Sequence, residues 1–278
     1  PSHRPAVTYH NVNQIPTNPS AASTQYEEYR QLLMQVSLGN RGGNYPPGHV
    51  AKSSLISFAV FGEGNSSVAP NQDYSKLFQN FQTILRKIMP ADLGFQRIEI
   101  RMPEVVLVTD SGDFALEAMS GGINSLFSFA WQIHMFTHDK EECTITIDEP
   151  ENHLHPSMQR SLLPSLRDAF PNFRFVIATH SPFIISSAPS SAVYALSYNN
   201  LKSIESRRLE HADLSAPSNV VLREILNVES NLPIWVEDRI EKVIRDTENL
   251  SADNRSNEIM KTLRELGIAN HIDEYGRD

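Results

Sequence analysis

The sequence predicts an α/β protein in which a parallel sheet is flanked by helices, and three neighbouring segments predict it. Thr144-Ile145-Thr146-Ile147 is a run of four β-branched residues closed by the acids Asp148 and Glu149, a strong signal for a short strand. A second short apolar run, Phe173 to Ala178, ends in Thr179-His180-Ser181-Pro182. Upstream of both, Ser120-Gly121-Gly122 opens a helix whose Leu126, Ala130 and Ile133 fall at i, i+4 and i+7.

In an open α/β sheet, ligands bind beyond the carboxyl ends of the parallel strands, which is where Asp148 and Glu149 emerge. The alternative is a strand that simply leaves for solvent through polar residues. Three site-like strand or helix ends in one short stretch favour chemistry.

These residues resemble the ABC-type P-loop ATPases of the chromosome-maintenance and DNA-repair class. Met119-Ser120-Gly121-Gly122 is similar to the signature motif, and Cys143 to Glu149 to Walker B with its catalytic glutamate. Asn152-His153-Leu154-His155-Pro156 resembles the D-loop, and Ile177-Ala178-Thr179-His180-Ser181 the switch. The wording DEPENHLHP and ATHSPFIIS is similar to bacterial defence ATPases of the overcoming-lysogenisation-defect group and of other anti-phage systems. The likeness is specific from Met119 to about Ser187.

The resemblance implies ATP and Mg²⁺ as cofactors. Asp148 would hold the hard Mg²⁺ ion, through water, and Glu149 would polarise the attacking water as general base. Unpaired backbone N–H groups at Ser120, Gly121 and Gly122, with the partial positive charge of a helix start, would bind a γ-phosphate. His180 would donate a hydrogen bond to that phosphate. His155 is placed at the nucleotide as well, since His153 and His155 flank the D-loop and read as interface residues. In this family ATP is sandwiched between two protomers, so a homo-oligomer is implied.

Two departures stand against these matches. No GxxxxGK(S/T) string occurs. The nearest imitation, Gly43 to Gly48 followed by His49-Val50-Ala51-Lys52-Ser53, reads as coincidence, because three residues separate glycine from lysine and no strand precedes it. The resemblance puts the P-loop ahead of Pro1, so a phosphate-binding lobe outside these residues is expected; a split enzyme that borrows its P-loop is the alternative. Ile123 also replaces the glutamine of transporter-type signatures, which touches a side-chain contact more than the backbone anion site.

With 278 residues, 40% hydrophobic and 21% charged, the chain has an ordinary globular composition and can bury a sizeable core. The single cysteine, Cys143, excludes an internal disulfide and fits a reducing compartment. No apolar run approaches the roughly 18 residues of a membrane span. A cytoplasmic protein without membrane contact is the default expectation. A net charge of −9 argues against sequence-wide attraction to DNA and leaves room for a local basic groove here or on the lobe expected outside these residues.

In chain order, residues 1 to about 24 read as loop with a short strand at Ala6 to Tyr9, followed by a helix from Thr24 to Val36 with Tyr29, Leu32, Leu33 and Val36 inward. Met34 is assigned to the core. Gly39 to Gly48 marks a break. Asn71 to Met89 is the clearest amphipathic helix, carrying Leu77, Phe81, Ile84, Leu85 and Ile88, and Pro90 stops it. Ile98 to Arg101 and Val105 to Val108 predict a hairpin, with Asp113 to Leu116 a third strand. No heptads extend through this region, so the arm between P-loop and signature is compact.

Ser125 to Phe136 is one helix with Trp131 and Phe136 buried. His134 and His138 lie at i, i+4, but no HExxH acid accompanies them. Ser157 to Ala169 is a helix with Leu162, Leu163 and Leu166 inward, which Pro164 is expected to kink or interrupt. Ala192 to Ser197 predicts a strand and Asn199 to Ser218 a polar linker or edge. Asn219 to Leu226, Trp235 to Asn249 and Asn257 to Leu266 predict a helical tail. The domains expected are 1–118, the remaining N-terminal lobe and arm; 119–200, the ATPase lobe; and 201–278, the helical C-terminal region.

Relatives of the overcoming-lysogenisation-defect kind continue into a nuclease whose strand-end glutamate Trp235-Val236-Glu237-Asp238 only faintly matches, and no Asp-x-Asp pair follows. The tail is therefore expected to serve assembly or docking, with any nuclease supplied by another protein. Three functions compete. The first is an ATPase motor or switch subunit of an anti-phage or DNA-maintenance complex. The second is a nucleotide-gated scaffold with little turnover that holds an effector, nuclease or toxin, until triggered. The third is a module without activity, against which two adjacent acids argue, since an unpaired buried carboxylate is costly.

Overall fold

In the computed structural model, which describes residues 22–38, 46–199, 202–210, 220–221, 233–247 and 251–266, the chain divides into two compact units, Pro1–Ser215 and Ala216–Asp278. The expected strand at Ala6 to Tyr9 and most of the helix at Asn219 to Leu226 lie outside the described residues. The first unit begins with α1 (Ala22–Ser37), α2 (Pro47–Gly62) and α3 (Gln72–Ile88). Tyr29 of α1 is buried and Leu32 and Leu33 are half-buried. Val36 and Met34, both expected inside, are exposed, because α1 packs on its neighbours through its first turns and its last turn runs clear of them.

Helix α2 was not predicted. It buries Val50, Ala51, Leu55, Ile56 and Phe58 together with Lys52 and three serines, so every side faces protein and no polar stripe betrays its period. Helix α3 is the opposite case. Asn71 caps it by accepting from the backbone N–H groups of Asp73 and Tyr74, and Leu77, Phe81, Ile84, Leu85 and Ile88 are all buried, as the spacing predicted. Gly62 lets α2 meet α3: a Cβ there would come within 2.9 Å of the Ser75 nitrogen.

The hairpin of β1 (Phe95–Arg101) and β2 (Glu104–Thr109) and the short β3 (Phe114–Ala115) form the expected small antiparallel sheet, with Ile98 opposite Leu107 and Leu107 opposite Phe114. The Ile98 N–H donates to the buried Gln82 Oε1 at 2.9 Å, tying sheet to α3. Helix α4 (Gly121–Thr137) then runs through the core, where the Phe81 ring stands edge-on to Phe127 and Trp131 at 5.3 Å. Trp131 is buried as expected, whereas Phe136 is half-buried.

Strands β4 (Thr144–Asp148) and β5 (Arg174–Ala178) pair in parallel, with Ile145 opposite Phe175 and Asp148 opposite Ala178, so the predicted α/β arrangement is present. Ile145, Ile147, Phe175 and Ile177 pack on the core, while Thr144, Thr146 and Val176 on the other face are exposed. Between the strands lies α5 (Pro156–Ala169). It runs through Pro164 without interruption, and Leu162 and Leu166 on either side are held in the core. The short α6 (Pro182–Ser186) follows β5.

Strand β6 (Tyr194–Tyr198) is the expected strand, but its partner is a correction. Within the segment read as a linker, β7 (Ile204–Arg208) folds back on β6, Tyr198 opposite Ile204. Its residues are all exposed, so no apolar alternation marks it in the sequence. In the second unit, α7 (Ile234–Asp246) and α8 (Ala252–Glu265) pack against each other, with Val236 buried. Trp235 is on α7, not at a strand end.

Candidate functional site

Strand β4 delivers Asp148, exposed, and Glu149 to the rim of the sheet. Glu149 has a left-handed backbone, φ 47°, yet its N–H still extends the ladder to the Ala178 carbonyl at 2.9 Å. This strained turn swings the Glu149 side chain toward the end of β5, where its Oε1 lies 3.3 Å from Nε2 of His180. Two residues predicted from separate motifs thus meet.

The turn after β4 is closed by hydrogen bonds from Asn152 N–H to the Glu149 carbonyl and from Leu154 N–H to the Glu151 carbonyl, with His153 left-handed at φ 68°. Sequence reasoning gave Glu151 no role, since an acid beside other acids in a turn reads as solvated. Its Oε1 accepts from the Thr179 hydroxyl at 2.6 Å and from the His180 backbone N–H at 2.8 Å. Thr179 Oγ1 in turn accepts from Ser181 N–H at 2.9 Å. Ser181 caps α6 and donates to Gln159 Oε1 at 2.6 Å, and Gln159 returns to the Leu154 carbonyl at 2.9 Å.

Partial desolvation, and after it the Glu151 carboxylate, push the Glu149 carboxyl above the usual carboxylate range, with His180 working against them. For Glu151 burial works upward, but the hydrogen bonds from Thr179 and from backbone N–H groups prevail and hold it below that range. Two close carboxylates with divergent proton affinities are a pattern of acid–base sites.

Ser120 caps α4, accepting from Ile123 N–H at 3.5 Å. The glycines after it bring this helix start onto the turn behind Glu149. A Cβ on Gly121 would stand 3.7 Å from the His153 Cβ, and one on Gly122 would press on Met158 Sδ at 3.1 Å and the His153 carbonyl at 3.2 Å. The signature-like segment and the D-loop-like turn are therefore in contact. His155 caps α5, its Nδ1 accepting from Ser157 N–H at 3.3 Å.

Lys52, from the string that imitates a P-loop, sits inside α2 with its side chain 1% exposed. Its ammonium lies 3.0 Å from Glu104 and 2.6 Å from Glu117. His134 is buried with Nε2 3.0 Å from the Leu77 carbonyl. Among the described residues, no cluster of three or more His, Cys, Asp or Glu forms a closed metal cage. An exposed Asp148 at a strand tip suits Mg²⁺, which keeps its waters and shares itself with phosphate oxygens. No helix among the described residues is long and apolar enough to cross a membrane.

The AAA ATPase domain family matches residues 53–185, which run from within α2 through α4 and both parallel strands to α6. The chain is 30% identical over 106 residues to the retron Ec83 probable ATPase of Escherichia coli, covering 38% of this chain and 18% of that protein. It is 22% identical over 174 residues to the Septu protein PtuA of Bacillus thuringiensis, covering 59% and 39%. The chain thus spans less than two fifths of the length of these relatives. A solved SMC ATPase, described for its ATP-driven dimerisation and DNA-stimulated activation, superposes on 58% of this chain and 96% of its own at 15% identity, TM-score 0.45. Residues 53–185 thus match the AAA ATPase domain family, and the chain is similar in sequence to the retron ATPase and to the Septu protein.

Proposed function

We propose that this chain acts in an ATPase subunit of a bacterial anti-phage defence or DNA-maintenance complex, which binds ATP with Mg²⁺ between protomers and uses hydrolysis as a motor or switch. One observation carries this reading: Glu149 and His180, from the ends of two parallel strands, meet at 3.3 Å at the rim of the sheet. The likeness to a retron ATPase and a Septu protein supports the defence setting.

Glu149, with its raised proton affinity, takes the proton of the attacking water. His180, 85% exposed, donates a hydrogen bond to the γ-phosphate and registers its presence. Asp148 holds Mg²⁺ through water; the ion supplies charge neutralisation on the phosphate oxygens. The N–H groups at Ser120, Gly121 and Gly122 receive the γ-phosphate of the nucleotide on another copy, and His155 lines that contact. A homo-oligomer follows, completed by a separate effector such as a nuclease.

In the full-length protein, Glu149→Gln is expected to lower ATP turnover about a hundredfold or more while ATP-dependent association persists. Measuring phosphate release beside sedimentation with and without ATP checks both. Undiminished turnover in the variant would remove Glu149 as base. A wild-type protein that associates on ATP but does not turn it over would favour the gated scaffold.

A further inference from the structure

The contact between Glu149 and His180 does not hold itself in place. The imidazole is 85% exposed and the carboxylate 34%, and an ion pair in water of that kind contributes little. What fixes the imidazole is its backbone. The His180 N–H and the neighbouring Thr179 hydroxyl both donate to a single oxygen of Glu151, three residues beyond Asp148 and in the turn that also carries Glu149. Hydrogen bonds to an ionised acceptor are the stronger class. A second strap runs parallel to the first, from Ser181 through Gln159 to the Leu154 carbonyl at the end of the same turn.

We propose that Glu151 is a positioning residue: through one carboxylate oxygen it ties the Thr179-His180 segment to the turn after β4, so that His180 and Glu149 keep their spacing and shift as one piece when nucleotide arrives. This rests on the reading of Glu149 and His180 as site residues. The acceptor oxygen makes the tie and its charge strengthens it. Glutamine at 151 therefore preserves the tie, and alanine breaks it.

The test uses the full-length protein without nucleotide, comparing amide hydrogen exchange at His180 and Ser181 in wild type, Glu151→Ala, Glu151→Gln and Thr179→Val, with ATP turnover measured alongside. Glu151→Ala should speed exchange at these amides roughly tenfold. It should also lower kcat roughly tenfold with the KM for ATP little changed, since binding contacts are untouched. Glu151→Gln should keep most of the wild-type protection and most of the turnover. Thr179→Val removes one of the two donors and also the acceptor of the Ser181 N–H, so it is read at the His180 amide, where it should fall between. Unchanged exchange in Glu151→Ala overturns the proposal, as does a Glu151→Gln that loses protection as fully as alanine. Should the wild-type protein hydrolyse no ATP, the functional reading falls, while the exchange comparison still decides the tie.

Discussion

Residue by residue, burial decides what titrates. His134 stacks on Phe81 and meets the Leu77 carbonyl, and burial lowers its pKa to about 4. In the unfolded chain it titrates near 6.5. Between those values the unfolded state binds the extra proton, so the stability that neutral His134 contributes is whole above pH 6.5 and is lost as pH falls toward 4. The difference amounts to about 3 kcal/mol. Denaturant melts of wild type and His134→Gln from pH 7 to 4 should show this slope in the first and a flatter one in the second. At the same scale, the sequence exposed Asp148, Glu149 and His180 because acids or a histidine after an apolar run stand out. Glu151 stayed hidden, because its partners Thr179 and His180 become neighbours only when β4 and β5 pair.

Elements differ in how openly they declare themselves. Helix α3 lies half in solvent, so its apolar stripe is written against a polar background. Helix α2 is enclosed, its serines lie among its apolar residues, and periodicity has nothing to contrast. Strand β7 fails for the reverse reason, being polar on both faces. What anchors α2 is testable. Lys52 bridges it to Glu104 at the start of β2 and to Glu117 just before the Ser120 cap of α4. Lys52→Met strands two partly buried carboxylates and is expected to destabilise the fold by about 3 kcal/mol, read as a shift in the denaturant midpoint at constant slope.

For the molecule as a whole, the distribution of burial matters more than any contact. The helices α1 to α6 and the small antiparallel sheet enclose one core, and β4 and β5 are laid on it by one face. Parallel strands are ordinarily covered on both. Here the second face shows Val176, 57% exposed, with Thr144 and Thr146 beside it, and the β6–β7 hairpin shows Tyr194, Leu196, Tyr198 and Ile204 to water.

That uncovered face of β4 and β5 governs how the chain behaves in a tube. Among the described residues nothing pairs with the outer edges of β4 and β5, and an unpaired edge beside the exposed Val176 invites copies to stick laterally, with Asp148, Arg174 and the net charge of −9 working against it. The apparent mass of this 278-residue chain from light scattering should rise with concentration, and a fluorescent hydrophobic dye should bind and brighten. Val176→Lys, which replaces the large apolar side chain of that face with a cation, should reduce both signals without lowering the melting temperature.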